Sequence, residues 1–206
     1  MPLFFQQNIN EETSLGIWSI EEDEDFFLEY ASIQRDISHP QKRKQHLAGR
    51  YLLNVLSPGF PLAEVKIAET RKPFLPEDLF HFSISHADNY AAAVVSKSER
   101  VGVDVEIYTS RVMKVLHKFL TDQEKALLST LVAAPYVLET LLWSVKESVF
   151  KWNGSTNVDF KEHIIIKSIR QIDHTHFAIA VLYRDKPLDV KGMCFPNFCL
   201  TWVAAA

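Results

Sequence analysis

The chain carries at its midpoint the stretch VGVDVEI, residues 101–107, in which valine and isoleucine alternate with Gly102, Asp104 and Glu106. This period of two predicts a β-strand with one face on a core. Two residues of a strand rise about 6.6 Å, so the carboxylates of Asp104 and Glu106 point the same way and can converge on one cation. Gly102 is expected to leave an open space beside them. A plainly solvated strand face is the alternative, since exposed carboxylates are common.

The composition bounds the class of protein. The chain has 206 residues, of which 47% are hydrophobic and only six are glycine, so it can bury a core as one large domain or two small lobes. The net charge of −4 speaks against a general nucleic-acid binder. With no apolar run of about 18 residues and no leader-like start, we expect a cytoplasmic protein without a membrane span. Cys194 and Cys199 are expected to face each other across a turn as free thiols.

The first half of the chain is expected to alternate strands and helices. The expected elements are a strand at 15–20, a helix over the apolar residues from Phe26 to Ile33, a helix introduced by Pro40 and closed by Gly59, a strand at 65–69, and a hairpin of 80–85 with 90–95. Arg43 and Arg50 lie on the second helix, Lys72 follows Arg71 in a cationic turn, and His86 ends a strand. For Arg43, Arg50 and Lys72 the alternative is a charge that is simply solvated, and for His86 the alternative is a structural histidine.

The second half is expected to form helices after the central strand and then a set of strands. The expected elements are a short helix or irregular crossover at Arg111–Phe119, a helix from the capping box of Thr121 and Glu124, a helix over 136–152, and strands at 162–169, 177–182, 192–195 and 199–203. On the long helix Trp143, Glu147 and Lys151 lie four residues apart on one face. A Glu147–Lys151 ion pair that only stabilises the helix is the alternative.

These side chains together suggest phosphoryl chemistry. Asp104, Glu106 and Glu147 supply hard oxygen ligands of the kind that suit Mg²⁺, which shares phosphate oxygens with its protein ligands. Cations such as Lys72 suit a substrate with several phosphate charges. The reaction class indicated is attack at a phosphoryl group, with a metal and cations taking up the developing charge.

Three motifs carry a resemblance to a known family. In order, SISH at 83–86, VGVDVE at 101–106 and WSVKESVFK at 143–151 resemble the motifs of the 4′-phosphopantetheinyl transferases, in their monomeric, surfactin-synthetase-activating type. With the turn at 71–73 the resemblance spans residues 40 to 152. The chain departs from the family at Ala87, where a hydroxyl is frequent, at Arg71, where a glycine often precedes Lys-Pro, and at Ser144, where threonine is frequent.

The resemblance implies an architecture. It is an α+β fold of two similar lobes related by a pseudo-twofold axis, each a small, mainly antiparallel sheet packed with helices. The lobes would be residues 1–100 and 101–206, forming one compact monomer with coenzyme A bound between them.

The resemblance also implies an activity, the transfer of 4′-phosphopantetheine from coenzyme A to a serine of an apo acyl or peptidyl carrier protein, with release of adenosine 3′,5′-bisphosphate. Asp104, Glu106 and Glu147 would hold Mg²⁺, and the catalytic set would be Asp104, Glu147 and Lys151. Glu147 would deprotonate the serine directly or through water, and Lys151 would stabilise or protonate the departing phosphate. The residues implied in binding coenzyme A are Arg43, Arg50, Lys72, Ser85, His86 and Lys151, with either arginine holding the 3′-phosphate. No nucleic acid or membrane partner is expected.

Two other functions compete with this one. A paralogue without catalytic activity could bind coenzyme A or a carrier protein, but it would not need Asp104, Glu106, Glu147 and Lys151 together. A Mg²⁺ enzyme acting on another nucleotide pyrophosphate is less favoured, because the sequence has no Gly-rich phosphate loop.

Overall fold

The structure, a computed structural model, describes residues 2–33, 37–68, 70 and 72–206. The chain forms two compact units that divide between Val101 and Gly102, with the terminal Ala206 counted in the first. Each unit combines helices with a mainly antiparallel sheet, which confirms the predicted α+β class. Within the described ranges, no helix is both long enough and apolar enough to cross a membrane.

Besides two short 3-10 helices, the first unit contains eight α-helices and β-strands among its described residues. They are β1 (Leu3–Asn8), β2 (Thr13–Ser19), α1 (Glu24–Leu28), α2 (Pro40–Leu56), β3 (Lys66–Ile67), β4 (Pro73–Phe74), β5 (His81–Ala87) and β6 (Tyr90–Ser96). The main sheet has the order β1-β2-β6-β5 with antiparallel neighbours, and β3 pairs with β4. The predicted second helix and the β5–β6 hairpin are thus confirmed.

Helix α2 packs on this sheet through small side chains. Ala91 and Ala93 on β6 are fully buried, and α2 contacts β6. A Cβ added to Gly49 of α2 would come within 2.5 Å of the Ile84 Cγ2 atom on β5. Gly49 therefore lets the helix approach the sheet more closely than any larger residue would.

Several predicted boundaries in this unit are wrong. Strand β1 was not expected, and α1 ends at Leu28, although its helical pattern runs on to Ile33. Phe26 inside α1 and Tyr30 just after it pack their rings on Tyr51 of α2. The strand expected at 65–69 is reduced to β3, and Glu69 lies outside the described residues.

The second unit also contributes eight elements. They are β7 (Arg100–Ile107), α3 (Arg111–Phe119), α4 (Asp122–Leu128), α5 (Val137–Asn153), β8 (Ile164–Gln171), β9 (His176–Tyr183), β10 (Lys186–Cys194) and β11 (Phe198–Ala205). The sheet has the order β7-β11-β10-β9-β8. Cys194 and Cys199 are opposite each other in the β10–β11 register and both are free thiols, as predicted.

Two helix ends in this unit agree with the sequence prediction. Thr121 and Glu124 form the reciprocal capping box that starts α4. Gly154 follows α5 with a φ of 74°, a left-handed conformation that glycine adopts without strain, so the helix ends where expected. The uncertain stretch after β7 is the helix α3.

Candidate active site

Strand β7 and helix α5 touch along their backbones. A Cβ built on Gly102 would lie 2.0 Å from the carbonyl oxygen of Ser148 and 2.6 Å from the backbone nitrogen of Trp152. The missing side chain of Gly102 therefore permits a contact that no other residue would allow. The expectation of an open space beside Gly102 is wrong, because the α5 backbone fills it.

Helix α5 runs along β7 in the opposite direction. Gly102 lies against Trp152 near the end of the helix, and Glu106 binds Trp143 near its start. The four steps of strand from Gly102 to Glu106 rise about 13 Å, and the nine steps of helix from Trp152 back to Trp143 rise about as far. This match explains how two motifs 40 residues apart in sequence can place their polar side chains on each other.

Asp104 is buried and binds a cation from α5. The Lys151 Nζ atom donates to Asp104 Oδ1 at 2.6 Å, and the side chains are 26% and 3% exposed respectively. The alternative of a plainly solvated strand face is therefore wrong for Asp104. The other face of β7 is also covered, since Val103 and Val105 are buried in the same sheet.

Glu106 is oriented by a hydrogen bond that sequence reasoning missed. The indole Nε1–H of Trp143 donates to Glu106 Oε1 at 3.0 Å. The Trp143 ring packs against Phe119 and Phe160, with ring centroids 5.0 and 5.6 Å away, so its N–H is held in one direction. The four-residue spacing of Trp143 from Glu147 was the available signal, because it places both side chains on one face of α5.

The three carboxylates of the site repel one another. Burial, followed by the charge of Asp104, raises the pKa of Glu106 to about 7, although the Trp143 hydrogen bond and the charge of Lys151 act to lower it. Burial and then Asp104 also raise the pKa of Glu147 to about 7, with Lys151 opposing and Glu106 adding to the rise. Three acidic groups thus share the positive charge of Lys151, which leaves a surplus of negative charge.

This surplus of negative charge bears on whether the three carboxylates fit a metal ion. A divalent cation would neutralise it, and carboxylate oxygens are the ligands that Mg²⁺ accepts, so the donor chemistry fits. Over the described part of the chain, however, no three His, Cys, Asp or Glu side chains are already arranged to hold a metal ion. The Lys151 ammonium lies on Asp104, at a carboxylate that a metal would use.

A second lysine–carboxylate pair on α5 lies deeper in the unit. Lys146 Nζ is 2.7 Å from Glu124 Oε1 and donates to the Phe160 carbonyl oxygen at 2.8 Å, and both side chains are fully buried. Glu124 also accepts hydrogen bonds from the backbone of Ile166 and from the backbone and hydroxyl of Thr121. The capping box revealed Glu124 in the sequence, but nothing revealed its partner.

The two candidate arginines of the first unit lie on α2 in different environments. Arg43 forms an ion pair with Glu24 of α1. Arg50 is buried, with its Nη1 atom 3.2 Å from His46 Nδ1. Arg50 also lines a cavity of about 270 Å³ whose other lining residues are Leu28, Glu29, Tyr30, Ala31, Ser32, Leu62 and Ala63.

The remaining candidates of the first unit lie on or near β5. Burial, followed by the charge of Arg100, lowers the pKa of Lys72 to about 8. Arg71, the neighbouring cation in the predicted turn, lies outside the described residues. Ser85 is buried, whereas His86 is exposed just before the β5–β6 turn. The structure thus brings Asp104, Glu106, Glu147 and Lys151 together in one unit and describes the coenzyme A candidates in the other.

Comparison with known proteins identifies the family. The model of the 4′-phosphopantetheinyl transferase superfamily matches residues 100–202, half of the chain, and the model of the 4′-phosphopantetheinyl transferase N-terminal domain matches residues 32–96. The chain therefore belongs to the 4′-phosphopantetheinyl transferase superfamily, as its motifs predicted.

One curated relative is similar over part of the chain. Enterobactin synthase component D of Salmonella austin is 38% identical over 117 residues, which are 54% of this chain and 48% of that protein. The match thus spans about half the length of this curated relative.

Proposed function

We propose that the protein transfers 4′-phosphopantetheine from coenzyme A to a serine hydroxyl of an apo carrier protein, with Mg²⁺, and releases adenosine 3′,5′-bisphosphate. The observation that carries the proposal is the convergence of Asp104, Glu106, Glu147 and Lys151 at the β7–α5 contact. These residues come from the two motifs inside the stretch that matches the superfamily. A protein that only binds coenzyme A has no need of this arrangement.

Asp104, Glu106 and Glu147 would hold the Mg²⁺ ion. When bound there, the ion supplies charge stabilisation to the pyrophosphate oxygens. The Trp143 hydrogen bond keeps the Glu106 carboxylate oriented for this role.

Glu147 takes up the serine proton, directly or through water. A serine hydroxyl is a weak nucleophile that needs a positioned base, and Glu147 lies one helical turn from Lys151 on the same face of α5. The serine oxygen then bonds to the phosphorus that carries pantetheine, and the bridging P–O bond breaks. The electron pair leaves on the bisphosphate oxygen, where the Lys151 ammonium stabilises or protonates it.

Five residues of the first unit would bind coenzyme A: Arg43, Arg50, Lys72, Ser85 and His86. Arg50 is favoured over Arg43 for the 3′-phosphate, because it lines a cavity whereas Arg43 is engaged with Glu24. We further propose a monomer that works in the cytoplasm, and light scattering after size-exclusion chromatography would test the monomer.

The test is a carrier mass measurement. The protein is incubated with coenzyme A, Mg²⁺ and separate apo carriers of the fatty-acid and peptide types, and each carrier is weighed by mass spectrometry. Similarity to an enterobactin synthase component makes a carrier from such a synthase the first choice. We expect the carrier to gain the phosphopantetheine mass and the bisphosphate to appear in equal amount.

Matched variants make this assay specific. Asp104→Asn should slow transfer at least about a hundredfold, since it removes one charge from the site. Lys125→Ala, which breaks an exposed Lys125–Asp122 pair on α4, should transfer normally. The proposal fails if no carrier type gains mass, and binding of coenzyme A without transfer would favour the paralogue without catalytic activity.

A further inference from the structure

The Lys151–Asp104 pair joins a mobile partner to a fixed one. Asp104 is almost fully buried on a strand whose backbone contacts α5, whereas about a quarter of the Lys151 side chain is exposed. Lysine carries its ammonium on a flexible four-carbon stem. If the pair opens, the ammonium can reach water and the carboxylate cannot, so Lys151 is the partner that moves.

Lys151 faces the whole acidic cluster. Its ammonium pairs with Asp104, which lies on the same strand face as Glu106, and Glu147 lies one helical turn before Lys151 on α5. The indole N–H of Trp143 also donates in the cluster, to Glu106, but it is neutral. The ammonium therefore supplies charge compensation that a bound cation would otherwise supply.

We propose that Lys151 is an internal counter-ion, which holds Asp104 until a divalent cation binds and then turns to the phosphates of the substrate. This inference rests on the proposed function, because it takes Asp104 as a metal ligand. No covalent bond changes in the step, and Lys151 keeps its proton throughout. The cation replaces the ammonium on Asp104, and the ammonium gains a phosphate partner.

Two consequences follow from this exchange. The free protein binds a divalent cation weakly, because binding must first break an ion pair. Coenzyme A strengthens cation binding, because its phosphates accept the displaced ammonium, and the cation strengthens coenzyme A binding by the same factor. Lys151 thus couples the two ligands, so the cation and the substrate bind together more readily than either binds alone.

The experiment measures binding of Mn²⁺, which reports its free concentration by electron paramagnetic resonance, to the full chain with and without coenzyme A. In the wild-type protein we expect coenzyme A to tighten Mn²⁺ binding about fivefold or more. In Lys151→Ala we expect Mn²⁺ to bind about fivefold more tightly without coenzyme A, and the effect of coenzyme A to shrink. Lys151→Arg, which keeps the charge, should retain the coupling.

Controls separate this inference from folding and from the proposed function. Lys151→Gln keeps a hydrogen-bond donor for Asp104 but removes the charge. It replaces Lys151→Ala as the test variant if Lys151→Ala does not fold, and it should show the same tighter Mn²⁺ binding. Lys125→Ala should bind Mn²⁺ as the wild type does. Unchanged or weaker Mn²⁺ binding in Lys151→Gln overturns the inference, even if the wild type modifies its carrier, whereas failure of carrier modification overturns the proposed function itself.

Discussion

Helix α5 carries two lysine–carboxylate pairs that have the same chemistry and nearly the same length. Lys146 lies 2.7 Å from Glu124, and Lys151 lies 2.6 Å from Asp104. The first pair is sealed from solvent, while Lys151 is about one quarter exposed. Pair geometry therefore does not reveal what a salt bridge does, and the surroundings of each pair must decide it.

The buried pair is fully occupied with structural bonds. Glu124 accepts from Lys146, from the Ile166 backbone and from Thr121, so one carboxylate ties α4, α5 and β8 together. Burial lowers the pKa of Lys146 and the ion pair with Glu124 opposes that change, so neither charge is accessible to a ligand. We interpret this pair as an anchor of α5.

The Lys151–Asp104 pair, called the open pair because Lys151 is partly exposed, has two acidic neighbours with raised pKa values. Glu106 and Glu147 have pKa values raised to about 7 by burial and by Asp104, and Lys151 opposes both rises. A largely buried acidic cluster whose charge is incompletely compensated is costly for stability but useful for binding a cation. We interpret the Lys146–Glu124 pair as fixing the position of the helix, and we propose that the Lys151–Asp104 pair takes part in the chemistry.

Breaking the buried pair should have the largest effect. Glu124→Ala leaves the Lys146 ammonium buried and removes the cap of α4, so we expect the free energy of unfolding to fall by about 3–5 kcal/mol. Urea denaturation followed by circular dichroism measures this. A loss below about 1 kcal/mol would show that the anchor interpretation is wrong.

The double variant of Lys146→Met with Glu124→Gln serves as the control. It removes both charges and keeps one carbonyl oxygen, which can accept from either Ile166 or Thr121 but not from both, so it should recover part of the stability lost in Glu124→Ala.

Disrupting the contact of Gly102 with α5, which brings Lys151 and Asp104 together, should destabilise the protein nearly as much. Gly102→Ala would place a Cβ 2.0 Å from the Ser148 carbonyl oxygen, so α5 must shift away from β7. We expect a loss of about 2–3 kcal/mol in unfolding free energy. Gly192→Ala is the matched control, because its Cβ meets the flexible end of Leu141 rather than backbone, and its loss should be smaller. Equal losses in the two variants would contradict the close helix–strand contact.

These two sites show what the sequence could and could not predict. The alternation in 101–107 predicted the strand and the common direction of Asp104 and Glu106, because side-chain direction in a strand is local. The burial of Asp104 and the filled space at Gly102 were missed, because both depend on where α5 lies. Helical spacing placed Glu147 and Lys151 on one face of a helix, and the motif resemblance joined them to Asp104, but neither predicted that Lys151 binds Asp104.

The first unit shows the same limit. Alternation and turn residues predicted the β5–β6 hairpin, whose two strands are adjacent in sequence. The contact of Phe26 and Tyr30 with Tyr51 was not predicted. Tyr51 lies more than 20 positions away along the chain, and no local pattern connects it to them.

Removing the charge of the open pair should cost little stability. In Asp104→Asn the Lys151 ammonium can turn to water, so we expect the unfolding free energy to change by about 1 kcal/mol or less. The same variant is expected to lose carrier modification. Its loss of activity would therefore not be due to unfolding, whereas Glu124→Ala should destabilise the fold and lose activity for that reason. A loss of stability as large as that of Glu124→Ala would mean that both pairs are structural.

The smallest effect on binding concerns Lys72, a lysine that lies close to the cation Arg100. Burial and Arg100 lower the pKa of Lys72 to about 8, so the ammonium loses its proton as the pH rises through that value. A phosphate binds the charged form, so coenzyme A affinity should fall about fourfold from pH 7 to pH 8.5 as the charged fraction decreases. Calorimetric titration at both pH values measures this, and Lys72→Gln should flatten the dependence. Arg100→Gln should move the fall to higher pH by removing the like charge, and an unchanged profile there would contradict the assigned cause.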